Sequence, residues 1–439
     1  MKHTHTLAIL FVFVGCSLVY GANLPSDRPL TLQDCISYAL ENHNSVLAAQ
    51  RELAASTAQT RQAKAGYLPN ITVSSRHIRS DSKEGDLLSR DGIDTGTELT
   101  RKGVSTDDEV ILGISHTIYD GGRIRMAIRQ AVASEKASEA EVELARQERI
   151  LAVTQAYFQS LLTKRLADIA AQSVAEAQKQ YDMVRTRIEA GDAAKVDIYP
   201  VEVQLANSRL KKLQADNDAR VAANILRNAM GLDRGPELRL AEIDEPVSEP
   251  LPSLEDCLSY AMDHRPEVTR VMAQLESAQA ALSYAKSQAG PIPTVTLGYE
   301  EGLSGSNSGS GWAIELGLSM KIFDGGATKA EIDSSKARFE SLRYTAEQLR
   351  QDIATQVEEA HLNLSNALER LVASKANVEL AKTNLEVASS KYEQGLAIPL
   401  EVVSAQVSYA DAQANYAQAL YDSYLARAEL DKAMGKRGN

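Results

Sequence analysis

The chain is written twice in one register. Ile118-Tyr119-Asp120-Gly121-Gly122 returns as Ile322-Phe323-Asp324-Gly325-Gly326, an offset of 204. At that same offset Gly191 falls on Gly395, and Met230-Gly231 falls on Met434-Gly435. Upstream, Leu32, Asp34, Cys35, Ser37, Tyr38 and Ala39 match Leu254, Asp256, Cys257, Ser259, Tyr260 and Ala261 at an offset of 222. A register held without insertion over such a span is expected of rigid helices of fixed length. Two copies make a duplicated unit rather than a stacked array. The change of offset places a length difference between the two blocks.

The repeated span from Arg123 to Gly191 is free of proline and keeps a helical period. Val174, Ala177, Tyr181, Val184 and Ile188 recur at alternating spacings of three and four, a coiled-coil seam. Val378, Ala381, Leu385, Ala388 and Tyr392 repeat it in the second copy, and a further run leads from Leu400 and Val403 through Val407, Ala410, Ala414 and Ala417 to Tyr421 and Tyr424. Each copy therefore reads as a long helix, a turn at Gly191 or Gly395, and a returning helix. Glycine tolerates the left-handed conformation that ends a helix, and Pro399 suits the first turn of the next. A helix from Arg123 to Ala190 would run roughly 100 Å at the usual rise per residue, the length of a rod rather than a core element. Aromatic residues are only 5% of the chain, which fits helices packed through small side chains.

Before each long hairpin the period changes to two. From Trp312 to Ile322 every even position is apolar, and Val110, Leu112, Ile114 and Ile118 keep that face in the first copy with His116 as the departure. Asn70 to Ser74 and Pro293 to Tyr299 supply a preceding strand in each copy, with solvent connectors expected over residues 75–108 and 302–311. Such alternation fits a half-buried sheet or a transmembrane barrel strand. Four strands cannot close a barrel, which needs at least eight in single-chain examples, and an open sheet edge is untenable in lipid. Strands that span a membrane here must be pooled between chains.

The N-terminus reads as a secretion signal, with Lys2 before an apolar Leu7–Val14 stretch and a cleavage site at Gly21/Ala22. A lipoprotein signal ending at Cys16 is the rival reading, which would make Cys16 a lipidation site. The organisation that follows is a signal over residues 1–21 (or 1–15), a first repeat over 22–231, a Pro-rich linker over 232–253 and a second repeat over 254–439. The strand pairs fall at about 70–119 and 293–323, and the long hairpins at 123–230 and 326–435. Net charge is −12 and the isoelectric point about 5.3, which argues against nucleic acid as a partner. Cys35 and Cys257 read as small buried hydrophobes rather than a disulfide.

A leading Leu-x-x-Cys-x-x-Tyr-Ala helix, a strand pair, an aromatic-Asp-Gly-Gly boundary and a long helical hairpin, all duplicated, resemble the TolC family over essentially the whole mature chain. The resemblance implies a mainly α fold with a small β part. The duplicated coiled-coil hairpins would form an α-helical tunnel, and four strands per chain would join a pooled twelve-stranded outer-membrane barrel in a homotrimer. It implies an exit duct for efflux or type I secretion, seated in outer-membrane lipid, whose partners are a periplasmic adaptor (membrane fusion protein) and an inner-membrane transporter. By position, Gly191, Gly395 and Leu396 are its periplasmic tip, where adaptors dock. Asp197 and Glu401, each six residues past a tip glycine, would form the tunnel constriction with Tyr392 as gate tyrosine. Ala397 stands where some members keep a lock arginine and Ser404 where some keep a second carboxylate, so a lock would be rebuilt from Arg185, Arg187 or Lys391, or would be weaker. Read from the residues alone, Asp197 and Glu401 are also solvated helix-end charges and Tyr392 a seam residue.

No catalytic constellation emerges, and neither a cofactor nor a metal is implied. Glu358-Glu359-Ala360-His361 reads as helix surface, and residues 302–311 lack the Lys and Ser/Thr pattern of a phosphate loop. The competing class is a secreted coiled-coil structural or adhesive protein without a channel. It accounts for the seams and the signal but not for the strand pairs.

Overall fold

The computed structural model describes residues 28–82, 103–233, 235, 238–243, 250–304 and 309–436. The signal with Cys16 and Ala22, most of the connector between the first two strands, and part of the Pro-rich linker lie outside the described residues. The elements run α1 (Leu32–Asn42), α2 (Asn44–Ala65), β1 (Asn70–Ser82), β2 (Gly103–Tyr119), α3 (Arg123–Ala190) and α4 (Ile198–Met230). The second copy follows as α5 (Leu254–His264), α6 (Pro266–Ser287), β3 (Ile292–Ser304), β4 (Ser310–Ser319), α7 (Ala327–Glu393) and α8 (Pro399–Ala433).

These boundaries locate the change of register. The starts of α1 and α5, α2 and α6, and β1 and β3 are each 222 residues apart, whereas α3 and α7 start 204 apart. The difference therefore lies between the end of the first strand and the start of the long helix, most of it in the connector after β1. That connector is also shorter than expected from sequence. β1 continues past Ser74 to Ser82 and β2 begins at Gly103, with Arg76 opposite Glu109 and His77 opposite Asp108. Charged side chains removed the alternating signal, but they do not interrupt the backbone ladder, and opposite charges across it favour pairing. In the second copy β4 stops at Ser319, short of the expected boundary at Phe323.

Contacts group the chain into two compact units, each built from both copies. One comprises residues 1–48, 144–264 and 354–439. Its core joins Cys35, Ile36 and Ala39 of α1 to Tyr157, Phe158 and Leu161 of α3, Leu226 and Met230 of α4, and Tyr421 of α8. The scarce aromatics gather here: Phe158 meets Tyr157 edge-on at 5.7 Å and stacks on Tyr424 at 5.0 Å. The fully buried Tyr157 donates its hydroxyl to the Ala241 carbonyl at 2.9 Å, beside a parallel bridge between Leu30 and Leu240. Burial pushes the Tyr157 phenol above its ordinary range, and raises the Cys35 thiol to about 12. Cys35 and Cys257 are both free and buried.

The second unit comprises residues 49–143 and 265–353. It holds α2, α6, parts of α3 and α7, and one antiparallel sheet in the order β1-β2-β3-β4. Its helices meet through small residues, with Ala133, Ala140, Ala273 and Ala280 buried. Arg270 reaches Glu141 at 2.8 Å, and Thr57 donates to Glu135 at 2.9 Å. Among the described residues no helix is long and apolar enough to cross a membrane.

Candidate functional site

The residues singled out from sequence gather in two places, the sheet with its junctions and the hairpin tips. On the sheet, register puts Ile71, Ile114, Tyr299 and Trp312 in one row across all four strands. The same face carries Val73, Leu297, Ile314, Leu316 and Leu318, and it is bare. Leu316 is 78% and Trp312 73% exposed. The opposite face holds Thr72, Ser115, Thr296, Gly298, Ala313 and Glu315. A soluble half-buried sheet covers its apolar face; this one leaves it open and keeps small and polar residues behind it. His116, the one departure from the apolar pattern, sets its Nε2 3.1 Å from the Tyr67 carbonyl.

The Asp-Gly-Gly boundaries have a physical reading. Asp120 accepts from the Gly122 N–H at 3.1 Å and the Ile124 N–H at 2.7 Å, and so caps α3. Asp324 does the same for Gly326 at 3.0 Å and Thr328 at 2.9 Å, at the start of α7. The following glycines all have positive φ, from 66° to 90°, so the chain turns sharply from strand into helix. Hydrogen bonds to Thr328, hydroxyl first and then backbone, hold the Asp324 carboxyl below its ordinary range.

At the tips, Gly191 and Gly395 take φ of 83° and 78° and close equivalent caps. The Asp192 N–H reaches the Arg187 carbonyl, and the Leu396 N–H reaches that of Lys391, both at 2.8 Å. Each is a Schellman arrangement that demands a left-handed residue. No neighbour lies within 4 Å of a Cβ added at either glycine, so backbone conformation and not crowding selects the residue. Beneath the caps both hairpins share a core of Val184, Val201, Tyr392, Val402 and Val403.

Tyr392 is 4% exposed, and Arg187 clamps it. The guanidinium carbon lies 4.6 Å from the ring centroid, while Nη1 and Nη2 donate to the carbonyls of Tyr392 and Glu393, both at 2.8 Å. These carbonyls end α7, where a cation is favoured by the helix dipole. Burial pushes the Tyr392 phenol upward, with Arg187 opposing it, and its hydroxyl finds no acceptor among the described residues. Arg185 pairs with Glu189 on its own helix at 3.0 Å, so of the three cations expected from sequence it is Arg187 that links the two hairpins. Asp197 closes a short turn, accepting from the Ala194 N–H at 3.3 Å. Glu401 is exposed in the first turn of α8. Leu396 is exposed at the very tip, with Val196, Tyr199, Ile398 and Leu400 also open to solvent. Asp197 and Tyr392 are thus brought to the same tip, while no ring of carboxylates forms among the described residues.

Sequence reading missed a second seam. On α4 one stripe, Val201, Leu205 and Ser208, is buried within the chain. A second, Tyr199, Val203, Ala206, Leu210 and Leu213, has the same three-and-four spacing and is exposed throughout. On α7 the exposed stripe is Ala373, Ala376, Leu380, Thr383 and Val387. The signal was present as a heptad offset from the inner one. Groups of three or more potential metal ligands are absent among the described residues.

A duplicated helical hairpin, fused to an antiparallel sheet whose apolar face is bare, defines a subunit of an outer-membrane channel. The comparisons agree: residues 35–232 and 257–436 match the outer membrane efflux protein family, to which the chain belongs. It is 23% identical over 435 residues to the cobalt-zinc-cadmium resistance protein CzcC of Cupriavidus metallidurans, covering 96% of this chain and 94% of that one. It is 22% identical over 418 residues to the alkaline protease secretion protein AprF of Pseudomonas aeruginosa, covering 91% and 83%. Crystal structures of CusC, which follow its folding and transmembrane channel formation, superpose with a TM-score of 0.79 at 18% identity, covering 92% of each chain. The protein is an outer-membrane efflux or secretion channel with a periplasmic helical part.

Proposed function

We propose that three copies pool their strands into one barrel and their hairpins into one tunnel, forming the exit duct of a tripartite efflux or type I secretion system. The observation that carries this is the sheet. Its apolar face is uncovered, and β1 and β4 are its edge strands, without a further strand partner among the described residues. In lipid an open edge leaves several kcal/mol per unpaired backbone group, so β4 must pair with β1 of a neighbour. The exposed seams on α4 and α7 supply the matching helical contact between copies. The organisation into signal, two repeats and linker is part of the same reading.

The duct conducts passively. Substrate arrives from an inner-membrane transporter through a periplasmic adaptor that docks on the tip around Gly191, Gly395 and Leu396, where exposed apolar side chains surround the turns. The resting tip is held shut by the shared core under Tyr392 and by the Arg187 clamp. Asp197 and Glu401, repeated by symmetry, make the constriction acidic. The test is conductance and ion selectivity of the purified protein in planar bilayers. Replacing Asp197 and Glu401 together by Ala should lower cation preference. Unchanged selectivity removes both from the constriction, and absence of any conductance in the wild type removes the duct.

A further inference from the structure

We propose that the four strand–helix junctions form a belt that binds the headgroups of anionic phospholipids, an inference that rests on the barrel reading above. Antiparallel register brings the start of β1, the end of β2, the start of β3 and the end of β4 to one end of the sheet, with Asn70 opposite Ser115, Tyr119 opposite Val295 and Ile292 opposite Ser319. Lys64, Arg123, Arg125, Lys286, Lys321 and Lys329 lie within about two helical turns of that end. Asp120 and Asp324, which lie among them, already accept from helix N-termini, and Glu331 and Asp333 follow Lys329 within the first two turns of α7, so cations outnumber carboxylates at this end. A chain of net charge −12 is therefore locally cationic here. Glu300 and Glu301 lie toward the opposite end of β3.

The placement repeats between the copies. Lys64 and Lys286 are the penultimate residues of α2 and α6, and Arg125 and Lys329 are the third residues of α3 and α7. The first pair sits where a helix dipole favours cations. The second pair sits where it disfavours them, so helix stability does not account for Arg125 and Lys329. Arg125, Lys286 and Lys329 are exposed and make no ion pair or side-chain hydrogen bond among the described residues. Exposed Tyr67, Tyr119 and Phe323 accompany them, the residue types that sit at headgroup depth. Long basic side chains just past the apolar face can lay their stems along lipid and hold their charge at phosphate level. The occupant that matches an apolar band ending in a cationic rim is an anionic phospholipid.

Lipid retained by the assembled protein after exchange into an equal mixture of phosphatidylglycerol and phosphatidylcholine can be counted by native mass spectrometry. The wild type should retain phosphatidylglycerol preferentially. Arg125→Gln with Lys329→Gln should lower that preference about fivefold for each charge acting on the bound lipid. Arg125→Lys with Lys329→Arg should keep it, and conductance in pure phosphatidylcholine should be unchanged in both. Equal retention of the two lipids by the wild type, or a preference that survives the glutamine pair and also survives Lys64→Gln with Lys286→Gln, overturns the belt. Wild-type protein that neither assembles nor conducts in phosphatidylcholine overturns the barrel reading instead.

Discussion

At the residue scale one side chain ties the two hairpins together above their shared core. Arg187 joins the hairpins by a planar fork that reaches two carbonyls while stacking on Tyr392. Lysine can supply the charge but neither the fork nor the stacking. Arg187→Ala should therefore loosen the tip and raise single-channel conductance, and Arg187→Lys should restore little of the closed behaviour. Equal conductance in all three proteins would make the clamp structural only. Hydrogen bonds to charged donors contribute about 1.5–3 kcal/mol each when well formed, and this one is part-exposed, so the lower end applies. The sequence marked Arg187 as one of three equivalent cations. It could not choose among them, because the choice depends on which helix end lies opposite, and that is fixed by tertiary packing. Gly191 and Gly395 were legible for the opposite reason: a left-handed cap is local and leaves its mark in the residue itself.

At the scale of elements, ends and faces decide. α1 begins with a capping box in which Thr31 and Asp34 exchange hydrogen bonds, and Arg28 reaches Asp34 at 2.8 Å. Hydrogen bonds from Arg28, then Thr31, lower the Asp34 carboxyl from near 3.8 to about 2. A depressed acid stabilises the fold above its unfolded pKa, so this contribution is present above about pH 4 and lost as pH falls toward 2. Amide exchange in α1 should accelerate across that window, and Asp34→Asn should abolish the pH dependence while fraying the helix at neutral pH. For the sheet, the two faces make opposite predictions. Leu316→Lys should cost roughly 2–4 kcal/mol if the face lies in the bilayer midplane. Thr296→Lys, on the other face opposite Glu315, should be nearly neutral. Urea unfolding in vesicles measures both, and equal effects would mean the sheet does not separate lipid from lumen. Long helices and alternating strands were readable because their periods persist over many residues. The charged extensions of β1 and β2 were not, since they lie past the band where alternation is required and are joined by the backbone ladder and by cross-strand pairs such as His77 with Asp108.

At the scale of the whole molecule, the proposed assembly rests on surfaces that the described residues of one chain leave open. Seams on α3 and the inner face of α7 are filled within it, while a second seam on α4 and another on α7 are open. Leu210 and Leu213 are 66% and 69% exposed, Leu380 71%, and Trp312 to Leu318 present a bare apolar face. Such surface on a monomer would promote aggregation, and the proposed symmetric assembly would cover the seams while closing the strand edges. Four strands require pooling, and three copies give the twelve that the family resemblance implies. The native mass in mild detergent should therefore be that of three chains. Leu210→Glu with Leu213→Glu places six carboxylates in the seams of a trimer, where a desolvated charge without a partner costs several kcal/mol. The variant should yield monomers whose helical circular dichroism is unchanged, because the inner stripe of Val201, Leu205 and Ser208 is untouched. A trimer that survives the double substitution would show that strand pairing alone holds the copies together. A wild-type monomer would leave the bare sheet face without a partner and return the chain to a secreted coiled coil.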